Sequence, residues 1–271
     1  MIPLAGACFL GANPALARAL RLKSGKRESS TGDSLYHFDG FNERVQAYIV
    51  ARYHARLTET FGEKGRNAFL LATRTYAEQR GHRMAQRAIA DGQPLTAETY
   101  YLYGEWLPTE ECIRRGESIE QEILWDEPSY TFRVTRCPWA IQFKEMGMLK
   151  AGLDYCKDLD ASIYRGFNPA IAYETRQTMH DHDCCIQCAP GTKFSAEVLK
   201  TPKCKSSFRT FEYHCAHSYW TFRQVISSVF GDKGRNLSED VLKDLENDFG
   251  SPFVTALNKY KNVDFNDATT I

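Results

Sequence analysis

The stretch Arg136 to Cys188 reads RCPWAIQFKEMGMLKAGLDYCKDLDASIYRGFNPAIAYETRQTMHDHDCCIQC, and its pattern decides the fold. Just before it, polar and apolar residues alternate from Tyr130 to Cys137, which predicts a β-strand. Apolar positions from Ala140 to about Tyr164 predict a helix. Alternation then returns at Ile171–Met179 and at Cys184–Cys188, which predicts a hairpin. A strand, a helix and a hairpin indicate a small antiparallel sheet backed by helices.

Helical periodicity fills the chain on both sides of this stretch. Upstream it predicts helices at Phe41–Phe61, Arg66–Asp91 and Thr96–Trp106, and downstream a helical segment over Phe211–Phe249 with breaks at Gly231 and Gly234. The predicted class is α+β, with an N-terminal helical layer followed by the small sheet packed with helices. The expected divisions are a flexible leader and linker (1–40), a helical part (41–128), an α+β part (129–258) and a fraying polar tail (259–271).

The composition excludes several classes of protein. Lys+Arg and Asp+Glu are 34 each, so no net field attracts nucleic acid or an anionic membrane. No apolar run approaches the roughly 20 residues of a membrane-spanning helix. The acid-poor start is interpreted as a loose leader, with an organelle transit segment as the alternative. Nine cysteines, an odd number, favour reduced thiols and therefore a cytoplasmic protein.

A seven-residue motif occurs twice, as Phe61-Gly-Glu-Lys-Gly-Arg-Asn and as Phe230-Gly-Asp-Lys-Gly-Arg-Asn. One interpretation is a pair of anion-binding loops, because main-chain amides and arginine at a helix start suit phosphate. The other, which we favour, is that each copy is a glycine cap that ends one helix and is followed by a loop into the next helix.

Thiols, imidazoles and carboxylates crowd the deciding stretch, which contains five of the nine cysteines. Cys156 and Asp160 are four residues apart on a predicted helix and so share a face. The turn His180-Asp-His-Asp precedes Cys184 and Cys185, which point to opposite faces of a strand, so only one of the two thiols can belong to a given site. Zinc is a hypothesis for this cluster, but the spacing matches no zinc finger, and we expect no stoichiometric zinc.

A second cluster, His214-Cys215-Ala216-His217, precedes Tyr219, Trp220 and Phe222. On a helix, His214 and His217 share a face while Cys215 points about 100° away. An imidazole in such an aromatic setting could serve as an acid or base. The alternative is a pair of hydrogen-bonded core histidines.

The order and spacing of these motifs resemble those of the 2-aminothiazoline-4-carboxylate hydrolase family over roughly residues 41 to 250. The blocks that carry the resemblance are Cys137-Pro-x-Ala, Lys144-Glu-x-Gly, Tyr155-Cys-x-x-x-Asp160, Gly166-Phe-Asn-Pro, Thr178-x-His-Asp181-x-x-Cys184, His214-Cys-x-His217, Phe61-Gly, Tyr76-x-x-x-Arg80-Gly-x-Arg83-Met-Ala and Tyr103-Gly-Glu-Trp106. One departure is His180-Asp181, where the family often has Gly-Asp. The resemblance implies a hydrolase that opens a cyclic C=N ring on the way to cysteine.

From the chemistry of these positions we assign provisional roles. Cys184 is the first candidate nucleophile and Cys156 the second, with His217 as base and Asp160 as its orienting carboxylate. Asn168 or Arg165 would stabilise developing charge. The remaining expected substrate contacts are His180, His214, Cys215 and Trp220.

The expected partner is a small-molecule substrate, with no nucleic acid, membrane, metal or cofactor. The Gly166-Phe-Asn-Pro turn is expected to pack against the thiol cluster. Two alternatives remain open. One is a zinc hydrolase that uses some of Cys156, Cys184, Cys215 and His217, and the other is a small-molecule-binding module without turnover.

Overall fold

The computed structural model describes residues 36–124, 129–192 and 194–270. The predicted leader, up to residue 35, lies outside these residues. The described helices are α1 (Glu43–Phe61), α2 (Glu63–Ala90), α3 (Ala97–Leu102), α4 (Glu110–Arg114), α5 (Pro138–Glu145), α6 (Leu149–Phe167), α7 (Phe211–Phe230), α8 (Asp232–Phe249) and α9 (Ser251–Asn258). The described strands are β1 (Glu120–Ile123), β2 (Tyr130–Arg136), β3 (Glu174–Gln177) and β4 (Cys185–Ala189).

The four strands form one antiparallel sheet in the order β1-β2-β4-β3. In the register of β2 with β4, Tyr130 lies opposite Ala189 and Val134 opposite Cys185. The predicted α+β class is therefore confirmed, together with the strand and the hairpin. Strand β1 was not predicted, because its sequence Glu-Gln-Glu-Ile has no alternation to reveal it.

The helical layer is built from α1, α2, α7 and α8 around a core rich in aromatic side chains. Helix α1 begins at Asn42, whose side chain accepts hydrogen bonds from the main-chain amides of Arg44 and Val45. At the centre, the Phe222 ring lies 5.2 Å from that of Tyr53 and 5.5 Å from that of Phe69, measured between centroids. Across the described segments, no helix has the length and apolar character needed to cross a membrane.

The repeated motif marks two helix ends of the same geometry. Gly62 and Gly231 have φ values of 58° and 60°, a left-handed conformation that favours glycine, and each separates two consecutive helices. Phe61 and Phe230 stack on each other with ring centroids 3.9 Å apart. The glycine caps are thus confirmed, whereas the loop predicted after each of them is wrong, because the next helix begins directly at Glu63 or Asp232. The predicted break at Gly234 is wrong, because α8 continues through it.

Three further expectations differ from the structure. The helix predicted at Thr96–Trp106 ends at Leu102. The Gly166-Phe-Asn-Pro turn lies at the far end of α6, where Gly166 approaches the main chain of Glu78, so the predicted contact with the thiols is wrong. The tail is not frayed around Phe265, whose ring is buried against His217 with centroids 4.6 Å apart.

Candidate active site

A cavity of about 270 Å³ lies where one face of the sheet meets α6. Because side chains alternate along a strand, β2 presents Tyr130, Phe132 and Val134 to the cavity, and β4 presents Cys185 and Gln187. Helix α6 contributes a stripe at helical spacing, which consists of Tyr155, Cys156, Leu159, Asp160 and Tyr164. The remaining lining residues are Gln46, Arg80, Tyr100, Tyr101, Trp106, Ile119, Gln121, Cys137, Trp139, Tyr173, Phe194 and Lys203.

The thiol of Cys156, which lines the cavity, contacts an imidazole that is not itself part of the lining. The Sγ atom of Cys156 lies 3.3 Å from Nε2 of His180, which stands in the turn between β3 and β4. His180 fits there because position 152 is glycine, and a Cβ at that position would come within 2.3 Å of the imidazole ring. Phe143 packs edge-on against the same ring. Packing against Phe143 of α5 and Gly152 of α6 therefore holds the imidazole beside the thiol.

Burial keeps both members of this pair neutral. His180 is 8 % exposed, and burial lowers its pKa to about 4, with Asp181 opposing the shift. Burial also raises the pKa of Cys156 well above that of a free thiol, and the neighbouring Cys137, Cys185 and Asp160 raise it further. The resting pair is therefore a neutral thiol beside a neutral imidazole.

Asp160 lies one helical turn from Cys156 and also lines the cavity. Gln187 of β4 donates a hydrogen bond to its Oδ2 at 3.4 Å. Burial raises the pKa of Asp160, and Arg80 partly opposes the shift. A carboxyl group with a raised pKa can keep its proton and deliver it to a substrate.

The three hairpin thiols have different surroundings, and β4 places Cys185 rather than Cys184 in the cavity lining. Cys185 accepts a hydrogen bond from the Met179 amide at 3.2 Å. Cys184 precedes the strand and accepts one from the Gln177 amide group at 3.1 Å. Cys188 is buried and accepts one from the Thr131 hydroxyl. As the sequence argument required, only one of the two neighbouring cysteines lines the cavity, and it is Cys185.

The His214-Cys215-x-His217 cluster lies in the core of the helical layer. His217 bonds Gln79 through Nε2 at 2.8 Å, and His214 bonds the Glu105 carbonyl at 3.2 Å. Burial lowers the pKa of His214 to about 3 and that of His217 well below its usual value. Cys215 is fully buried. None of the three lines the cavity, and Asp160 makes no hydrogen bond to His217 among the described residues.

The other predicted substrate contacts lie elsewhere on the fold. Arg165 pairs with Glu78 at the surface, and Asn168 donates to the Leu95 carbonyl at the end of α6. Trp220 donates to the Leu257 carbonyl and borders a separate surface groove. Of the ten residues assigned from the sequence, the structure therefore brings Cys156, Asp160 and His180 together.

The sequence assignments missed several lining residues of the cavity. These are Arg80, Lys203, Gln187, Cys185 and the aromatic side chains. A signal for Arg80 was present, because Tyr76, Arg80, Arg83 and Arg87 recur at steps of four, three and four residues along one predicted helix face. Arginine repeated on a face shared with core residues indicates buried charge that needs partners. In the described segments, no group of three or more His, Cys, Asp or Glu side chains could hold a metal ion.

Comparison with known proteins gives one match. The family model for L-2-amino-thiazoline-4-carboxylic acid hydrolase covers residues 42–188, which is more than half of the 271-residue chain. That range contains Arg80, Cys156, Asp160 and His180, whereas His214 and His217 lie beyond it. No curated protein and no solved structure matches the chain.

Proposed function

The chain belongs to the L-2-amino-thiazoline-4-carboxylic acid hydrolase family, and from this premise we propose that its cavity opens a cyclic amidine by breaking a C–N bond. Cys156 is the proposed nucleophile, His180 its base and Asp160 the acid. The observation that carries the proposal is the 3.3 Å contact between Cys156 Sγ and His180 Nε2 at the cavity wall. Cys156, the second candidate from the sequence, thereby replaces Cys184, and His180 replaces His217.

In the first half of the proposed reaction, the Cys156 sulfur bonds to the amidine carbon, and its proton passes to His180. The ring nitrogen takes this proton from His180 and a second proton from Asp160. The C–N bond then breaks, and the nitrogen leaves as an amine. The carbon remains on the sulfur as an iminium group, whose positive charge is balanced by the Asp160 carboxylate.

In the second half, water adds to the iminium carbon and gives one proton to Asp160. The other water proton reaches the Cys156 sulfur through His180 as the C–S bond breaks. The carbon then carries a carbonyl oxygen, and all three side chains are back in their starting states. The net reaction consumes one water for each C–N bond broken.

The wild-type protein should hydrolyse 2-amino-thiazoline-4-carboxylate and leave thiazolidine-4-carboxylate intact, because the saturated ring has no C=N carbon for the thiol to attack. Appearance of the ring-opened product can be followed by mass spectrometry. Thiazolidine-4-carboxylate should act as a competitive inhibitor. Binding of both compounds without any product would instead support the binding-module alternative.

The acid side of the pH–rate profile should fall near pH 4 rather than near the usual 6.5 of histidine. Protonation of His180 removes the base, and burial lowers its pKa to about 4, so kcat/KM should show no acid-side loss until roughly that pH, while ionisation of Asp160, the proposed acid, limits the rate on the alkaline side. The measurement is initial rate against pH, with circular dichroism at each pH to verify folding. An acid limb near pH 6.5 in folded protein would contradict the assignment of buried His180 as base.

A further inference from the structure

A buried arginine lines the cavity, and within the described part of the chain it has no hydrogen-bonding partner. Arg80 of α2 is 8 % exposed, and no hydrogen bond from it is found among the described residues. Its Nε atom is buried and unpartnered there. A buried charge that lacks hydrogen bonds is costly because water is excluded and nothing replaces those bonds. We therefore expect the Arg80 guanidinium to bind an anionic group of the ligand.

The nearest carboxylate is already committed to other arginines. Arg83 binds both oxygens of Glu105, at 2.9 and 2.6 Å, and Arg87 binds it at 2.8 Å. Arg80 Nε is 3.7 Å from the same carboxylate. Burial alone would raise the pKa of Glu105, but Arg83 and Arg80 lower it to about 2. One negative charge thus faces three guanidinium groups, and Arg80 is the farthest of the three from the carboxylate.

The other charged groups of the cavity define which anion would fit. Lys203 is a second cation in the lining, with Nζ 4.7 Å from the centroid of the Tyr101 ring. Asp160 lines the same cavity and would repel a doubly charged anion such as phosphate whenever it is ionised. A single negative charge on a planar carboxylate satisfies a guanidinium and is repelled by an ionised Asp160 less strongly than a double charge.

The size and walls of the cavity define the rest of the ligand. Tyr100 and Tyr164 stack at 3.7 Å, and Tyr164 stacks on Tyr173 at 4.3 Å, so planar rings form one wall. An apolar cavity of about 150 Å³ accepts benzene, and this cavity has a volume of about 270 Å³. It therefore has room for one planar ring that carries a carboxylate and a small substituent.

We propose that Arg80, with Lys203 beside it, is the carboxylate receptor of this cavity and selects planar-ring ligands that carry a single carboxylate. As a proposal about substrate recognition it rests on the proposed function, but binding of the anion requires no turnover. Arg80 is thus a specificity-determining residue that Glu105 orients only loosely, leaving its charge available to the ligand.

The test compares benzoate with benzamide, two probes of nearly equal shape of which only benzoate is charged. Binding is measured by calorimetry on the full chain. The wild type should bind benzoate at least tenfold more tightly than benzamide, and Arg80→Gln should remove most of this preference while leaving benzamide binding unchanged. Arg87→Gln is the matched control, because Arg87 also binds Glu105 but does not line the cavity.

Equal wild-type affinity for the two probes, or no benzoate binding, would overturn the proposal. So would benzoate binding that Arg80→Gln leaves intact. If Arg80→Gln does not fold, Lys203→Gln should reduce the preference for benzoate in part, and an unchanged preference counts against the receptor. Failure of the proposed hydrolysis can be told apart from failure of the receptor proposal. In the first case the wild type opens no ring but still binds benzoate as expected.

Discussion

Replacement of Cys156 by serine should reduce turnover of a cyclic amidine by about three orders of magnitude or more while the fold survives. Serine has nearly the same size, but a hydroxyl is a far weaker nucleophile than a thiol, even with His180 beside it. The thiol lies 3.3 Å from the imidazole and lines the cavity. Initial rates, with thermal melts of each variant, provide the measurement.

The hairpin cysteines supply matched controls for this loss. Cys184→Ser should retain most of the activity, because Cys184 lies outside the cavity lining and its thiol accepts a hydrogen bond from Gln177 rather than from a histidine. Cys185→Ser should have an intermediate effect, since Cys185 lines the cavity but bonds the Met179 amide rather than a histidine. Full activity in Cys156→Ser together with loss in Cys184→Ser would restore Cys184 as nucleophile and refute the proposed site.

Glu105→Gln should lower the free energy of unfolding by about 3–5 kcal/mol, because it leaves a buried arginine without its counter-charge. Glu105 and Arg83 are both fully buried, and their two hydrogen bonds measure 2.9 and 2.6 Å. Arg87 would lose its 2.8 Å bond to the same carboxylate. Urea unfolding followed by circular dichroism measures the change.

The control for Glu105 is Glu78→Gln, which breaks the surface pair with Arg165. That pair is largely solvated, so its loss should cost less than about 1 kcal/mol. A similarly small effect of Glu105→Gln would mean that water reaches the arginine cluster. The buried network would then contribute little to stability.

Much of the fold was predictable because its signals are local. Alternation predicted β2 and the hairpin, and helical periodicity predicted α1 and α2 to within a few residues of their observed ends. The single helix predicted from Ala140 to about Tyr164 is wrong, because the chain forms two helices there, α5 and α6, with Gly147 at a φ of 67° between them. The repeated Phe-Gly pairs predicted two helix caps, since a left-handed residue is a requirement of the chain itself. Strand β1 was not predicted because it is an edge strand of mostly polar residues. Since neither face is buried, its sequence shows no alternation of polar and apolar residues.

The site was predictable only in part. The sequence placed Cys156 and Asp160 on one helix face, and both line the cavity. It chose Cys184 over Cys185 and His217 over His180, because sequence spacing does not show which strand face or which turn reaches a given helix. His180 is brought to Cys156 by the hairpin folding over α6, at a place that Gly152 leaves open.

The sequence by itself therefore determined the longest elements, the α+β class and the family, because periodicity, caps and motif order depend on residues close together in the chain. Only the tertiary structure decided which thiol meets which imidazole and which arginine shares the Glu105 carboxylate without a hydrogen bond to it. Those choices depend on the sheet register and on the distribution of one Glu105 carboxylate among three guanidinium groups. Both depend on packing between segments that are far apart in the chain, and a local sequence pattern carries no information about such packing.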